Sequence, residues 1–398
     1  MHYLSSRARG LAPSRTIAMN QRARKLGEAG VDVIDLTVGE PDFPTPEPVR
    51  EAAKRAIDEG HNFYTPVAGY NDLREAVSRK LARENGLDYP ASRVMVSGGA
   101  KHCIANAILA LVDPGDEVVV PAPHWVSYAE LVKLAGGLPV SVPTLASEGY
   151  KLRAAALDAA MGPTTKALIL CSPSNPTGAV YSASELEALG SVLERHPRVW
   201  VISDEVYEHI NYVGSHASIA AIPALAERTV VVNGVSKAYA MTGWRIGYLA
   251  GPEALVAACV DLQGQMTTNA SSIAQRAAFA ALESGTSLIG GMLAAFRRRR
   301  AFVTTGVAAL PGLGLVEPQG AFYVFPDVSS HFGSRGGGRS IAGSDDFAEF
   351  LLDEARVAVV PGSAFGDDRC VRISFAAADA KLESAIGRMD KALRSLKK

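Results

Sequence analysis

Short apolar runs rich in β-branched residues alternate with helical patterns along the middle of the chain. Each run ends in Gly, Pro, Asn or Asp, which favour turns and loops. The runs cover residues 94–97, 117–120, 167–171, 199–203 and 229–233. Near-continuous apolar strands separated by helices indicate a mostly parallel sheet with helices on both faces. The pattern therefore predicts an α/β fold whose ligand site lies beyond the carboxyl ends of the strands.

The segments on either side of these runs have other patterns. A helical pattern around residues 17–26 and a short apolar stretch at 33–38 precede the proline-rich segment 39–46, which suits neither a helix nor a central strand and is a hinge candidate. A long helical stretch is predicted at about 271–310. It contains four consecutive arginines, 297–300, which we expect to form a solvated surface with one or two packed stems.

The last part of the chain, from about Gly312, predicts antiparallel strands and a final helix, and so a smaller α+β domain. Its Gly-rich insert, residues 333–338, is interpreted as a surface loop rather than a lid.

Composition narrows the classes of protein that this pattern allows. Forty Lys and Arg against 41 Asp and Glu give a net charge of -1, so the total shows no basic field for a nucleic-acid backbone. A hydrophobic share of 48% excludes disordered and fibrous classes. No run reaches the roughly 18 apolar residues of a membrane span, and the start lacks the apolar core of a secretion signal, so we expect a cytoplasmic protein. The cysteines stand singly, which disfavours a disulfide framework or a zinc site: Cys103, Cys171, Cys259 and Cys370.

Polar residues that packing does not explain follow four of the predicted strands. Gly98-Gly99-Ala100-Lys101 leads from the first run into an apolar helix, where backbone N–H groups can hold a phosphate, although a tight turn explains the glycines equally well. Asn175 lies in the loop after the third run. Asp204 follows the fourth run, either as the counter-ion of a buried cation or as an ordinary helix N-cap.

The fifth run leads into a segment that contains Ser236, Lys237 and Arg245. A lysine at the mouth of a parallel sheet can lose its charge by desolvation or form a Schiff base, whereas Ser236 and Arg245 supply donors suited to phosphate. In isolation such a lysine is usually a solvated surface residue. No G-x-G-x-x-G fingerprint occurs at the glycine turn, which disfavours a nicotinamide dehydrogenase.

The segment Gly234–Gly247 resembles the pyridoxal-phosphate attachment segment of the class I aminotransferases. Other landmarks of that family follow in family order over essentially the whole chain: residues 39–43, 62–69, 125–128, 175–178, 204–207 and 372–375. Within that family the chain most resembles the bacterial aspartate aminotransferases, which share the Gly-Ala-Lys sequence found here at 99–101. The resemblance implies fold type I, with an N-terminal arm and part of the small domain at 1–43, a large coenzyme domain at 44–285 and the small C-terminal domain at 286–398.

The resemblance also implies a role for several side chains around pyridoxal 5′-phosphate. Lys237 is the Schiff-base lysine and then the general base and acid, while Asp204 keeps the ring nitrogen protonated. Tyr207 and Asn175 hydrogen-bond the phenolic oxygen. Trp125 stacks on the ring, although sequence chemistry alone favours plain core packing for this residue.

The coenzyme phosphate would bind the backbone of Gly99 and Ala100 together with Ser236 and Arg245. A tyrosine matching Tyr64 reaches the phosphate of the neighbouring subunit in this family. The resemblance therefore implies a homodimer with shared active sites.

Two basic residues are assigned to the substrate by the same resemblance. Arg372 lies on an alternating strand pattern, where an arginine usually forms a surface salt bridge. The resemblance instead implies that Arg372 clamps the α-carboxylate of the substrate, with help from the Gly39 backbone. Lys101 would meet the distal carboxylate, with Trp125 and Asn175 also touching the substrate. These assignments predict a ping-pong transfer of an amino group from L-aspartate to 2-oxoglutarate, with free amino acids and 2-oxo acids as the partners.

Alternatives remain at two levels. His124 occupies a position where the resemblance leads us to expect tyrosine, and Arg15 is expected near the substrate entrance. These two residues leave open a second activity, the transamination of prephenate, aromatic or other amino acid and 2-oxo acid pairs. A coenzyme-binding regulatory domain without turnover is disfavoured, because nothing before residue 40 has the length or pattern of a DNA-binding module.

Overall fold

A computed structural model describes residues 3–11 and 15–398, and the side chains of residues 6 and 15–17 lie outside that description. The strands are β1 (Ile34–Asp35), β2 (Val94–Ser97), β3 (Glu117–Ala122), β4 (Leu138–Pro143), β5 (Thr165–Cys171), β6 (Trp200–Asp204), β7 (Thr229–Gly234), β8 (Gly247–Ala250), β9 (Tyr323–Val324), β10 (Arg335–Gly336), β11 (Arg339–Ser340), β12 (Val357–Ala358), β13 (Val360–Pro361) and β14 (Val371–Ser374).

The α-helices alternate with these strands through most of the chain. They are α1 (Ser6–Gly10), α2 (Arg15–Glu28), α3 (Glu47–Asp58), α4 (Asn71–Lys80), α5 (Ala100–Leu111), α6 (Ser127–Ala135), α7 (Ala154–Ala159), α8 (Ala183–Glu194), α9 (Glu253–Met266), α10 (Ser272–Ser284), α11 (Gly290–Ala308), α12 (Ser344–Phe350) and α13 (Asp379–Arg394). Shorter helical turns lie at Leu81–Asn85, Ala91–Arg93, Ala146–Glu148, Ile219–Ala221, Pro223–Arg228, Thr242–Trp244, Gly285–Leu288, Ser329–His331, Leu351–Ala355 and Gly362–Phe365.

The central sheet has the strand order β2-β8-β7-β6-β5-β3-β4. Its strands pair in parallel except for β8, which is antiparallel to both of its neighbours. All five predicted runs form strands of this sheet, and the predicted mostly parallel architecture is confirmed. The edge strand β4 and the antiparallel strand β8 were not predicted.

Alternate residues of the central strands pack on opposite faces of the sheet. On β5, Ile169 belongs to the core cluster that contains residues of α5 and α9. Leu168 and Leu170 belong to the cluster that contains residues of α7 and α8. Burial on both faces explains why the strand runs are apolar throughout, as the prediction assumed.

The chain ends meet in smaller sheets. Strand β1 pairs in parallel with β12, which joins the N-terminal segment to the C-terminal part of the chain. Strands β13, β14 and β9 form an antiparallel sheet, which confirms the predicted antiparallel strands. The Gly-rich insert forms the hairpin β10–β11. The domain bounds at 43/44 and 285/286 stay a prediction.

The predicted continuous helix over 271–310 is wrong in its length. The structure has two helices, α10 and α11, joined by the turn Gly285–Leu288 and bent by 60°. Gly285 has φ +62°, a left-handed conformation that ends a helix and that glycine adopts without a side-chain clash.

The arginine run on α11 has one buried member, in line with the expected packed stems. Arg297 and Arg298 are exposed, whereas only 8% of the Arg299 side chain is exposed. The Arg299 guanidinium donates two hydrogen bonds to Asp42, at 2.7 and 3.0 Å, and one to Asp379 at 2.7 Å. Arg299 therefore ties the 39–46 segment to the start of α13.

The cysteines are free, and burial raises the pKa of Cys103, Cys259 and Cys370 to about 12, so these thiols behave as apolar core groups. Within 3–11 and 15–398, no single helix is long and apolar enough to cross a membrane, although the bent pair Ser272–Leu288 and Gly290–Ala308 meets the length and composition requirement.

Candidate active site

A cavity of about 330 Å³ lies at the carboxyl ends of β5, β6 and β7, where the strand pattern places a ligand site. The structure brings all the predicted site residues to its wall except Gly99 and Tyr64. Its lining residues are Gly39, Ala100, Lys101, Trp125, Tyr128, Cys171, Asn175, Asp204, Val206, Tyr207, Gly234, Ser236, Lys237, Thr242, Arg245, Tyr323 and Arg372.

The glycine turn between β2 and α5 lies behind Arg245. Gly99 has φ +96°, a conformation that residues with a side chain rarely adopt, so the backbone favours glycine there; a Cβ would also meet the Arg245 guanidinium. That guanidinium donates hydrogen bonds to the Thr242 carbonyl at 2.9 Å and the Gly98 carbonyl at 3.2 Å. The first turn of α5, Arg245 and Ser236 thus place N–H and hydroxyl donors on the wall of the same cavity. This arrangement can bind an anion.

Asp204 ends β6 with its side chain buried at the cavity wall. Its carboxylate accepts a 2.6 Å hydrogen bond from the Tyr128 hydroxyl. Burial raises the pKa of Asp204 to about 6, against the opposing effect of the Tyr128 hydrogen bond. Residues 206–209 form turns, so the N-cap interpretation of Asp204 is wrong. A cation at this position would offset the cost of the buried charge.

Lys237 lies beyond the end of β7 and is half-buried at the cavity wall. It donates a 2.6 Å hydrogen bond to the Gly39 carbonyl. Burial lowers the pKa of Lys237 to about 8, with Glu40 opposing that shift and Arg372 adding to it. A fraction of Lys237 is therefore neutral near neutral pH, as a nucleophile or a general base must be.

Arg372 lies on β14 and is buried between two other strands. It donates hydrogen bonds to the Asn175 side-chain oxygen at 3.0 Å and the Thr37 carbonyl at 2.6 Å. Its Nε has no partner, and no carboxylate lies within ion-pair distance among the described residues. The surface salt bridge named as its usual fate is therefore wrong. A buried guanidinium without a counter-ion calls for an anionic ligand.

Lys101 and Trp125 lie together on another part of the wall. The Lys101 ammonium stands 5.0 Å from the centre of the Trp125 ring. Partial burial lowers the pKa of Lys101, and the charge of Arg245 lowers it further. The Trp125 ring meets Tyr128 edge-on at 5.4 Å, so it packs against the core and also faces the cavity.

Comparison with known proteins identifies the family. The family model "Aminotransferase class I and II" matches residues 31–389. The chain belongs to this aminotransferase family. A bifunctional aspartate aminotransferase and glutamate/aspartate-prephenate aminotransferase of Petunia hybrida is 49% identical, over 99% of this chain and 83% of that protein.

Solved structures agree over the whole aminotransferase chain. The aspartate aminotransferase of Rhizobium meliloti superposes with a TM-score of 0.96 at 43% identity, covering 99% of both chains. The aspartate aminotransferase of Thermus thermophilus with maleate has a TM-score of 0.92 at 43% identity, covering 98% of this chain and all of that one.

Several wall residues of the aminotransferase cavity were missed by the sequence: Tyr128, Cys171, Val206, Gly234, Thr242 and Tyr323. Tyr128 has a recognisable signal, because it follows Trp125 by three residues, and its backbone N–H donates to the Trp125 carbonyl in the turn that leads into α6. Tyr323 has none, since it lies in a two-residue strand within an apolar stretch.

Besides Gly99, two predicted or suspected residues, Tyr64 and His124, do not line the cavity. Tyr64 is 89% exposed, as expected of a residue that serves another subunit, but its role stays a prediction. The His124 ring lies 3.0 Å from the Trp125 carbonyl and lines a separate cavity of about 20 Å³. Burial lowers the pKa of His124, so its ring is neutral at neutral pH. The Arg15 side chain lies outside the described residues.

Proposed function

We propose that this aminotransferase moves the amino group of L-aspartate to 2-oxoglutarate, forming oxaloacetate and L-glutamate, with pyridoxal 5′-phosphate as coenzyme. The observation that carries the proposal is the charge of the cavity. Four basic side chains line it, against the single carboxylate of Asp204. They are Lys101, Lys237, Arg245 and Arg372. Such a cavity attracts a coenzyme phosphate and a dicarboxylic substrate.

The cavity fits the coenzyme in three respects. The buried Asp204 carboxylate suits a protonated ring nitrogen, Lys237 suits the aldehyde, and the donors around Gly99 and Arg245 suit the phosphate. Bound pyridoxal phosphate supplies an electron sink for the electrons of the substrate Cα–H bond. We assign the phosphate to Ser236, Arg245 and the backbone at 99–100, and the phenolic oxygen to Tyr207 and Asn175.

Lys237 then carries the proton of the reaction. Its pKa of about 8 leaves it able both to take the substrate Cα proton and to return one. The hydrogen bond from Nζ to the Gly39 carbonyl holds the amino group at the cavity wall when Lys237 is not bonded to the coenzyme. Trp125 covers the ring face and excludes water from that side.

The substrate carboxylates have separate partners in this proposal. Arg372 binds the α-carboxylate with the planar fork of its guanidinium, supported by the Gly39 backbone. Lys101 binds the distal carboxylate of aspartate or glutamate. Support for a dicarboxylic substrate comes from the maleate that the related Thermus thermophilus structure is described with.

A second acceptor, prephenate, is favoured by one observation. The Petunia hybrida relative is named for both aspartate and prephenate transamination. Prephenate is a 2-oxo acid with a second carboxylate, so like 2-oxoglutarate it needs Arg372 for one carboxylate and a second basic side chain for the other. A screen of 2-oxoglutarate against prephenate as acceptors, with aspartate as donor, separates the two.

We infer a homodimer in which Tyr64 completes the partner's phosphate site. Tyr64 and its neighbour Phe63 expose 89% and 80% of their surface, an unusual arrangement for two adjacent aromatic residues unless another surface covers them. Light scattering should give twice the mass of 41.8 kDa. Tyr64→Phe should weaken coenzyme binding while leaving the dimer intact; a monomer would contradict the inference.

The coenzyme assignment is tested by chemical trapping. Borohydride reduction of the coenzyme-loaded protein should fix the coenzyme on the peptide that carries Lys237. Lys237→Ala should prevent the fixation, and Lys133→Ala, an exposed lysine on α6, should not. A protein with no visible absorption band and no fixed coenzyme would overturn the proposal.

A further inference from the structure

Tyr323 is a cavity residue to which the proposed function gives no role. It is fully buried on β9, and its hydroxyl lies 2.9 Å from the Tyr207 hydroxyl. Its ring centre lies 4.5 Å from the guanidinium carbon of Arg372. A Cβ at Gly39 would stand 3.0 Å from the Tyr323 hydroxyl oxygen. One side chain thus contacts Tyr207 and Arg372 and leaves little room for a side chain at Gly39, and we assign all three residues to coenzyme or substrate.

We propose that Tyr323 is a positioning residue that serves both halves of the site. Its hydroxyl donates to Tyr207 and so directs the single Tyr207 proton to the coenzyme's phenolic oxygen. Its ring holds the Arg372 guanidinium towards the cavity. The inference rests on the proposed function, in which Tyr207 and Arg372 bind coenzyme and substrate.

The role of the Tyr323 hydroxyl follows from the protons that the Tyr207 and Tyr323 hydroxyls carry. Burial raises the pKa of both Tyr207 and Tyr323, so both hydroxyls keep their protons at neutral pH. In the chain alone either hydroxyl can be the donor of the pair. A Tyr207 proton that points at Tyr323 is not available to the coenzyme. Donation in the opposite direction, from Tyr323 to the Tyr207 oxygen, leaves the Tyr207 proton free and also polarises that hydroxyl as a stronger donor.

The geometry of the pair is fixed by packing. The two tyrosine rings meet edge-on at 6.0 Å, and Phe322 meets the Tyr207 ring edge-on at 5.5 Å. With both rings held, the hydroxyl contact keeps its length without help from the ligand. The contact is therefore preorganised, which is what a positioning residue requires.

The role of the Tyr323 ring follows from the small number of hydrogen bonds that hold the Arg372 guanidinium. Its hydrogen bonds go to Asn175 and the Thr37 carbonyl, and its Nε has none. The rings of Tyr323 and Phe365 lie 4.5 and 5.0 Å from the guanidinium carbon. Aromatic faces attract a desolvated guanidinium without using up its N–H donors. These donors stay available for a carboxylate.

The test separates the hydroxyl from the ring with two variants of the coenzyme-loaded enzyme. Tyr323→Phe removes only the hydroxyl, and Tyr323→Leu removes the ring as well. Tyr89→Phe is the matched control, because the Tyr89 hydroxyl is buried without a partner and does not line the cavity. The readouts are the pH midpoint of the coenzyme absorption band and the Kd for maleate, a dicarboxylate that needs no turnover.

We expect Tyr323→Phe to raise the pH midpoint by roughly half a unit, because a weaker Tyr207 donor stabilises the more negative, deprotonated chromophore less. Its maleate Kd should stay within about twofold of the wild type. Tyr323→Leu should show the same midpoint shift and also raise the maleate Kd roughly five- to tenfold. Tyr89→Phe should change neither readout.

Two results overturn the inference. If Tyr323→Phe titrates at the wild-type midpoint, its hydroxyl does not direct Tyr207; if Tyr323→Leu binds maleate as tightly as Tyr323→Phe, its ring does not hold Arg372. Failure of the proposed function looks different, because the wild type itself would then show no coenzyme band or no maleate binding.

Discussion

The Tyr128 hydroxyl donates a 2.6 Å hydrogen bond to Oδ2 of Asp204, the one carboxylate among the residues that line the cavity. Both side chains are buried, and Tyr128 follows Trp125 by one turn at the start of α6. The hydrogen bond stabilises the charged form of Asp204 against burial. Tyr128 therefore favours the ionised carboxylate that a protonated coenzyme ring requires.

Loss of the Tyr128 hydroxyl should make Asp204 a weaker acid. In Tyr128→Phe the pKa of Asp204 should rise further above 6, by about one unit, because one hydrogen bond to the carboxylate is lost. The association of pyridoxal phosphate with the coenzyme-free variant should then show a higher pH midpoint than in the wild type. Tyr181→Phe, a buried tyrosine outside this cavity, is the control. Identical midpoints for Tyr128→Phe and the wild type would exclude this role.

The raised pKa of Asp204 also has a consequence for stability. The ordinary aspartate value is 3.8, and the folded value is about 6. Between these values the folded chain holds a proton that the unfolded chain has lost, so this group lowers stability as pH rises through that window. Asp204→Asn should therefore gain stability relative to the wild type from about pH 4 to about pH 7 and then level off, at about 1–3 kcal/mol.

That comparison needs coenzyme-free protein, because a bound cation at Asp204 reverses the cost of the charge. Urea unfolding midpoints at a series of pH values give the difference directly. A difference that stays constant from pH 5 to pH 8, or that shrinks, would contradict the assigned shift.

Lys101 should discriminate between substrates by their distal group. In Lys101→Ala, kcat/KM for aspartate should fall about 10- to 100-fold, the size of one charged hydrogen bond, because the distal carboxylate loses its partner. Neutral amino donors should change by less than about threefold. Lys133→Ala should leave both classes of donor unaffected. Equal losses for aspartate and alanine would refute the role of Lys101 in specificity.

Arg299 should contribute to stability through the 39–46 segment. Arg299→Met removes the paired hydrogen bonds to Asp42 and the single bond to Asp379, and both carboxylates are partly exposed. We expect a loss of about 1–3 kcal/mol in urea unfolding, less than for a fully buried pair. Arg298→Met, which removes an exposed partner of Asp379, should cost under about 1 kcal/mol. Comparable losses for the two variants would contradict the structural role of Arg299.

The sequence predicts the parallel strands well because those strands are buried on both faces. Strands β3, β5, β6 and β7 show continuous apolar runs. The polar residues that follow β2, β5, β6 and β7 meet in one cavity. Strand β4 escapes prediction because it lies at the sheet edge and contains two prolines, at 139 and 143. Strand β8 escapes because it is only four residues long and begins at Gly247, the last residue of the segment Gly234–Gly247 that we interpreted for its chemistry.

The rest of the site depends on contacts between distant segments. The burial of Arg372 is set by its neighbours β9 and β13, and its strand alternation alone suggests a surface position. The contact between Tyr207 and Tyr323 joins residues 116 positions apart. Neither local pattern nor composition records such a pairing, so these parts of the site required the structure.

The central claim, amino transfer from a dicarboxylic donor, is tested most directly by a half-reaction without an acceptor. Coenzyme-loaded enzyme is mixed with L-aspartate, and oxaloacetate is measured together with the coenzyme spectrum. We predict one equivalent of oxaloacetate per active site and rapid conversion of the bound coenzyme to its pyridoxamine form. No conversion with aspartate or glutamate, alongside conversion with phenylalanine, would contradict the account.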